Sequence, residues 1–216
     1  MINENLHNFF YYGNERPEIL EFIPNDIKTI LDVGCGYGGF LDLIKRNLNV
    51  ETWGIELVDS VAKTLDGHID YILKGSIEEN CLSLPNNYFD CITFNDVLEH
   101  LTYPDQVLIS IKEKFSDKGV LVTSLPNVRY LRNLYNLIIR KDWKYEDSGI
   151  LDKTHFRFFT KKSMVRMFKD SGYEVISING IFKLNDFKFK FFNMMTFGFF
   201  EDCFFERFVC VLKPII

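Results

Sequence analysis

A glycine-rich turn between a short apolar strand and an amphipathic helix constrains the fold of this chain more than any other feature. Residues 31–40 read Leu-Asp-Val-Gly-Cys-Gly-Tyr-Gly-Gly-Phe, with an apolar run before them and an apolar-periodic run after them. Glycines allow backbone conformations that are closed to other residues, and they let a ligand approach the main chain. The helix N-terminus behind the turn offers free N–H groups. The pattern predicts a nucleotide-type cofactor site after the first strand of an open α/β sheet.

Strand and helix signals alternate along the rest of the chain. The apolar patterns predict strands at 27–33, 52–55, 71–73, 88–95, 119–124, 174–181 and 205–212. They predict helices at 39–47, 60–65, 104–115 and 161–171, the last of them capped by Thr160. A turn at 116–119 is expected to end the third helix. Alternation at this spacing indicates a parallel, doubly wound sheet within a single domain.

Composition narrows the possible partners. The 216 residues carry a net charge of −5 and a pI of about 5.4, which argues against a nucleic-acid partner. The five cysteines show neither a CxxC motif nor metal-like spacing, so we expect reduced thiols and no bound metal. Residues 1–5 lack the basic start and apolar core of a signal peptide. These features favour a cytoplasmic protein without a transmembrane segment.

Phenylalanine is concentrated near the end of the chain, where ten of the 22 phenylalanines lie between Phe187 and Phe208. The longest uncharged stretch there, 191–200, is too short to span a bilayer. We interpret residues 183–204 as a Phe-rich flap or a homodimer contact. An interfacial membrane contact is the alternative.

Two acidic residues help to identify the cofactor. Gly34, Gly36 and Gly39 match the GxGxxG spacing of dinucleotide enzymes, and Glu56 is placed to accept the hydroxyls of an adenosine ribose. Neither feature distinguishes NAD from S-adenosylmethionine. Asp32 does, because a pyrophosphate at the turn would meet a second negative charge, whereas a sulfonium and an α-ammonium would be attracted. Asp32 has the alternative role of holding the N–H groups of the turn.

The motifs resemble class I S-adenosylmethionine-dependent methyltransferases. Residues 31–39 are similar to motif I of that family, 54–56 to its acidic motif, 84–101 to its fourth-strand motif and 119–127 to its fifth. The resemblance covers about residues 27–127 and implies a Rossmann-like, seven-stranded sheet of order 3-2-1-4-5-7-6, with the last strand antiparallel. It implies cofactor contacts from Asp32, Gly34, Cys35, Gly36, Gly38, Glu56, Ser76, Ile77 and Asn95. The run Gly75-Ser76-Ile77-Glu78 lacks the aspartate that often reaches adenine in this family.

The segment 126–160 interrupts the strand–helix alternation and can lie over the carboxyl edge of the sheet, where ligands bind. Its residues 125–129 and 149–160 resemble a bacterial methyltransferase group associated with surface-glycan and O-antigen biosynthesis. We expect this insertion to bind the acceptor through Arg129, Tyr145, Asp152 and Arg157.

His155 and His100 are the candidate general bases, since imidazole titrates near neutral pH. Each has a structural alternative. His155 can be held by the backbone, His100 can orient its loop, Asp152 can cap a turn or orient His155, and Arg157 can pair with a carboxylate.

The predicted activity is methyl transfer from S-adenosylmethionine to a hydroxyl of a sugar, glycan or related small molecule. N-methylation of a small amine or amino sugar remains open, because an amine needs only to arrive deprotonated. The same sequence pattern is compatible with an NAD-dependent oxidoreductase and with a non-enzymatic binding protein of this fold.

Overall fold

The structure is a computed structural model that describes residues 15–65 and 67–215; residues 1–14 lie outside that description. Its centre is a seven-stranded sheet of order β3-β2-β1-β4-β5-β7-β6. The strands are β1 Thr29–Val33, β2 Glu51–Glu56, β3 Tyr71–Lys74, β4 Phe89–Asn95, β5 Phe115–Pro126, β6 Tyr173–Lys183 and β7 Phe205–Pro214. The α-helices are α1 Pro17–Leu20, α2 Gly39–Asn47, α3 Asp59–Ala62, α4 Ile77–Asn80, α5 Pro104–Ser110, α6 Leu131–Ile138, α7 Lys161–Asp170 and α8 Phe187–Met195.

The strand pairing confirms the predicted fold. β1 lies in the middle of the sheet and pairs in parallel with β2 and β4, while β7 runs antiparallel to both β5 and β6. Helices cover both faces, so β4 is buried along nearly its whole length, and four of its seven residues are apolar. One face packs Phe89, Phe94 and Phe115 against α5 and α7, and the other packs α1 and α2.

The carboxyl ends of β1, β2, β4 and β5 meet at one edge of the sheet, which is where ligands bind in such folds.

Two predicted boundaries are wrong in the middle of the chain. The helix predicted at 104–115 is α-helical only to Ser110 and continues as the 3-10 helix Ile111–Lys114. Residues 116–119, predicted as a turn, belong to β5, because Phe115 already pairs with Phe89 of β4. The register shifts between Phe89 and Cys91, and this irregularity accommodates the extra residues. Long-range strand pairing therefore overrides the local turn chemistry.

The predicted cap of the helix that follows the insertion is confirmed. Thr160 caps α7, and its hydroxyl accepts a hydrogen bond from the Ser163 amide. All five cysteines are buried and free.

The Phe-rich segment forms α8 and a following loop. Phe189 packs on Phe204 with ring centroids 4.7 Å apart, whereas Phe187 and Phe197 are exposed. Across 15–65 and 67–215, no helix combines the length and the apolar character needed to cross a membrane. The flap or dimer-contact interpretation stays a prediction.

Candidate functional site

The glycine-rich turn after β1 is held at both sides. The amides of Gly34 and Cys35 donate to the carbonyl of Ile55, at 2.8 and 3.1 Å. Gly34 has a φ of 74°, and a Cβ added there would lie 2.6 Å from Cγ2 of Val97. Only glycine fits at position 34, between β2 and the loop that follows β4.

Glu56, at the end of β2, is buried and fully engaged with the backbone. Its Oε2 accepts from the Gly36 amide at 2.9 Å, and its Oε1 accepts from the Val58 amide at 2.8 Å. Glu56 therefore locks the glycine turn to β2. A carboxylate oxygen can accept more than one hydrogen bond, so each oxygen keeps capacity for the hydroxyl of a ligand.

Asp32 lies at the mouth of the turn and is only 2% exposed. Its Oδ1 accepts hydrogen bonds from Thr93 Oγ1 at 2.6 Å and from Asn95 Nδ2 at 3.3 Å. Burial raises the pKa of Asp32 to about 7, although these hydrogen bonds and Arg16 act in the opposite direction. A cationic ligand beside this carboxyl would favour its ionised form. The predicted alternative, in which Asp32 holds the N–H groups of the turn, is not what these contacts show.

At the other end of the same cleft, Glu99, His100 and His155 come together. Glu99 and His100 belong to the 3-10 helix Leu98–His100 after β4, and His155 lies in the insertion. The two imidazole rings pack edge to face with centroids 4.6 Å apart. The insertion is held against β4 because the Glu99 carbonyl accepts from the amides of Phe156 and Arg157. Backbone contacts thus place His155 beside His100.

Both imidazoles have their Nδ1 atom engaged by the insertion. His155 Nδ1 lies 3.1 Å from the Ile150 carbonyl, which can only accept, so Nδ1 is protonated and Nε2 carries the lone pair. His100 Nδ1 lies 3.1 Å from Thr154 Oγ1, whose hydroxyl donates to Asp152 Oδ1 at 2.6 Å. Asp152 Oδ1 also accepts from the Thr154 amide at 2.8 Å, which is the turn cap predicted as its alternative role, and the same carboxylate holds the Thr154 hydroxyl beside His100. The Asp152 carbonyl accepts from the His155 amide at 3.0 Å.

Glu99 is the least satisfied group in the cleft. It is 1% exposed, and neither carboxyl oxygen has a hydrogen-bond partner in another residue of the described chain. Its Oε1 lies 3.9 Å from His155 Nε2. Burial, and then the charge of Asp96, raises the pKa of Glu99 above its usual range, while burial and His100 lower the pKa of His155. Both directions favour a neutral pair over an ion pair.

Three further cleft residues were not predicted. Asp96 Oδ2 lies 2.6 Å from Arg16 Nη1 and 2.9 Å from Arg207 Nη1, and Asp96 Oδ1 accepts from Ser124 Oγ. The two guanidiniums hold the pKa of Asp96 below its usual value despite burial. Its position after β4 was a usable signal, because ligand sites form at strand ends. Arg16 and Arg207 reach it from opposite ends of the chain, which no local pattern reveals.

The structure brings together only some of the predicted site residues. The cleft is lined by Asp32, Gly34, Cys35, Gly36, Glu56, Asn95, His100, Asp152 and His155. Six others lie outside its lining: Gly38, Ser76, Ile77, Arg129, Tyr145 and Arg157.

Each of these six has a different structural position. Gly38 caps α2, Ser76 caps α4 in a box with Glu79, and Ile77 is buried in the core. Arg129 pairs with Asp202 at 2.6 Å.

Tyr145 is exposed and lies beside Phe158. Arg157 donates to the carbonyl of Thr102, so the partner found for it is the backbone and not the carboxylate predicted as its structural alternative. The structure gives these six residues no place in the lining of the cleft.

The cleft fits S-adenosylmethionine in size and chemistry. Its volume is about 520 Å³, within the usual range of ligand pockets. Buried Asp32 suits a positively charged group, and Glu56 suits the ribose hydroxyls. Asn95 turns its amide nitrogen toward Asp32, which leaves its buried Oδ1, without a partner in the described chain, as an acceptor for an ammonium.

Comparison with known proteins agrees with this geometry. The model of a methyltransferase domain family matches residues 6–178. A mitochondrial ubiquinone biosynthesis O-methyltransferase from Schizosaccharomyces pombe is 34% identical over 122 residues, which cover 52% of this chain and 43% of that protein. A ubiquinone biosynthesis O-methyltransferase from Rickettsia canadensis is 22% identical over 73% of this chain and 68% of its own length. The chain thus spans less than half of the S. pombe relative.

Solved structures show the same fold. A SAM-dependent methyltransferase from Archaeoglobus fulgidus superposes with a TM-score of 0.71 over 98% of this chain and 99% of that one, at 19% identity. The chain belongs to the methyltransferase domain family.

Proposed function

We propose that the chain transfers a methyl group from S-adenosylmethionine to a hydroxyl oxygen of a small-molecule acceptor. One observation carries the proposal: a single cleft holds the Asp32–Glu56 cofactor end and, opposite it, two imidazoles with available Nε2 atoms. An amine acceptor would need no base, whereas a hydroxyl gains from one. The histidine pair therefore favours O-methylation over N-methylation.

The chain's own residues have three tasks in this reaction. S-adenosylmethionine supplies a methyl group on a sulfonium, which is a good leaving group, so positioning of the acceptor carries much of the catalysis. Glu56 and the glycine turn hold the cofactor end, and the insertion closes the acceptor end through its backbone contacts with Glu99. His155 Nε2 is the candidate base, because burial keeps its imidazole neutral.

The class of acceptor is a finer proposal. The names of the two ubiquinone-biosynthesis relatives support a hydroxyl acceptor but not a sugar. The resemblance of the insertion to glycan-modifying methyltransferases remains the support for a glycan hydroxyl. The two acceptors differ in acidity, since a phenol ionises near pH 10, as tyrosine does, and a sugar hydroxyl is far less acidic.

A release assay tests the proposal. Purified protein with S-adenosylmethionine is screened against sugar nucleotides, glycan fragments, phenols and small amines for formation of S-adenosylhomocysteine. We expect turnover with a hydroxyl compound and a methyl ether as product. Turnover with amines alone would replace the proposal by N-methylation. Cofactor binding without turnover on any class would favour a non-enzymatic binding protein.

A further inference from the structure

The Glu99–His100–His155 cluster has the composition and support of a metal site. One ligand atom from each residue lies within 4.8 Å of the others, and His155 Nε2 is 3.9 Å from Glu99 Oε1. In a bound site with metal–ligand distances near 2.1 Å, ligand atoms stand about 3–3.5 Å apart. Side-chain shifts of about 1 Å would therefore close the cluster around an ion.

The buried carboxyl of Glu99 is an independent sign of a ligand. A buried carboxyl without a hydrogen bond costs folding free energy, and proteins keep such a group where it has a task. Glu99 lines the cleft and lies against the two histidines, so its oxygens face the same space as the Nε2 atom of His155. The unpartnered carboxyl of Glu99 therefore indicates that the cluster binds a ligand.

The outer contacts of the two histidines are those of metal ligands. A metal-bound histidine donates its other ring N–H to a carbonyl, a carboxylate or water, which fixes the tautomer and the ring orientation. His155 does so to the Ile150 carbonyl, and His100 contacts Thr154 Oγ1, which is itself bound to Asp152. Both rings are thereby held with Nε2 available before any ligand arrives.

The neighbouring charged groups are paired with one another. Arg16 and Arg207 line the cleft, and both guanidiniums are engaged by Asp96, at 2.6 and 2.9 Å. Asp96 is saturated by the two guanidiniums and Ser124, so it is not available as a ligand. Glu99 is left as the carboxyl in the cleft whose two oxygens have no hydrogen-bond partner in another described residue, so both remain available to a ligand.

We propose that Glu99, His100 and His155 bind one divalent ion of the Zn²⁺ type at the acceptor end of the cleft. Two imidazoles and one carboxylate are a ligand set for first-row transition metals, and they leave positions open toward the cleft.

The role of the ion rests on the proposed function. An acceptor hydroxyl bound at an open position would release its proton to water more readily, since a metal ion lowers the pKa of a bound oxygen. With the histidines bound to the ion, imidazole is no longer the base, and the proton of the acceptor passes to water. The proposed site departs from the sequence-based expectation that no metal is bound.

The test is a titration of metal-free protein with Co²⁺, whose visible absorption reports the ligands, followed by displacement with Zn²⁺. We expect each chain to bind one equivalent of Co²⁺ through nitrogen and oxygen ligands. Excess Mg²⁺ should not displace the bound Co²⁺. Binding is expected to weaken at least 100-fold in His155→Gln and in Glu99→Gln, and by about 10–100-fold in Thr154→Val, which removes the hydroxyl that holds His100. His68→Gln, at an exposed histidine, is the matched control. Circular dichroism checks that each variant is folded.

Three results would overturn the site: no stoichiometric Co²⁺ or Zn²⁺ binding to the wild-type protein, binding unchanged in folded Glu99→Gln and His155→Gln, or full turnover of an identified acceptor in the presence of EDTA. Cofactor titration of the same metal-free protein separates this proposal from the proposed function. Tight cofactor binding and metal-free turnover would remove the ion and leave the methyltransferase activity in place.

Discussion

Two buried glutamates lie in one cleft, and their surroundings are opposite. Both oxygens of Glu56 accept backbone N–H groups, so its task in the apoprotein is to lock the glycine turn. Neither oxygen of Glu99 has a hydrogen-bond partner in another described residue, and its neighbours are two histidines. Glu56 therefore has a structural role at the cofactor end of the cleft. Glu99, at the acceptor end, has two carboxyl oxygens that remain free to bind a ligand. Burial of a carboxyl therefore indicates function only when its hydrogen bonds are counted.

The largest effect is expected from His155→Gln at the acceptor end. Loss of a general base or of a metal ligand there should lower turnover by about 10²–10⁴ while the Kd for S-adenosylmethionine stays unchanged. Steady-state kinetics and cofactor titration are measured on the same preparation, with His68→Gln as control. A large loss of thermal stability in His155→Gln, with unchanged activity per folded molecule, would show that His155 is a structural residue. The acceptor end of the cleft would then not be the site of catalysis by this histidine.

At the cofactor end, Glu56→Ala should weaken S-adenosylmethionine binding by roughly 1–3 kcal/mol, because the ribose hydroxyls lose a charged acceptor and the turn loses its lock. Isothermal titration measures the change. Glu78→Ala, at an exposed glutamate, serves as the control. An unchanged affinity in a folded variant would remove Glu56 from the cofactor site.

Stability offers a direct contrast between the two glutamates. Glu99→Met removes an unsatisfied buried carboxyl, so the free energy of unfolding of the metal-free protein should rise by about 1 kcal/mol. Glu56→Met should lower it, because two backbone N–H groups lose their acceptor. Denaturant unfolding of both variants checks the sign. A fall in stability for Glu99→Met would mean that Glu99 is satisfied in the native protein after all.

A separate expected effect concerns pH and Asp32. With its pKa raised from 3.8 to about 7, Asp32 binds a proton more tightly in the folded state. Its contribution to stability is therefore full below pH 3.8 and is lost as the pH rises through about 7.

Affinity for a cationic cofactor should follow the opposite course and rise up to about tenfold between pH 6 and 8, as the carboxyl ionises. Titrations across this range test both trends, and Asp32→Asn should bind more weakly with a flat profile. A pH-independent Kd in the wild-type protein would show that Asp32 does not face the positive groups.

The sequence alone determined the parts of this protein that depend on local signals. The alternation of apolar strands with amphipathic helices predicted the seven strands and four of the eight α-helices of the described chain, and the family resemblance supplied the order 3-2-1-4-5-7-6 that the structure confirms. The cofactor end was readable because Asp32, the glycine turn and Glu56 lie at the ends of adjacent strands, where chain order and spatial order coincide. Ser76 was expected to contact the cofactor, but in the structure it caps α4. The sequence does not distinguish these two roles, because serine before a short helix is typical of both.

Only the tertiary structure decided the acceptor end. The insertion folds back so that His155 meets residues that precede it by more than 50 positions, and β7 returns Arg207 to the side of Asp96. Arg129, Tyr145 and Arg157 carry suitable chemistry in sequence, but in the structure they hold or flank the insertion. The physical reason is that a hydrogen-bond count for a buried group, such as the missing partners of Glu99, depends on contacts between distant segments. Those contacts cannot be predicted from the composition of the sequence or from the spacing of its motifs.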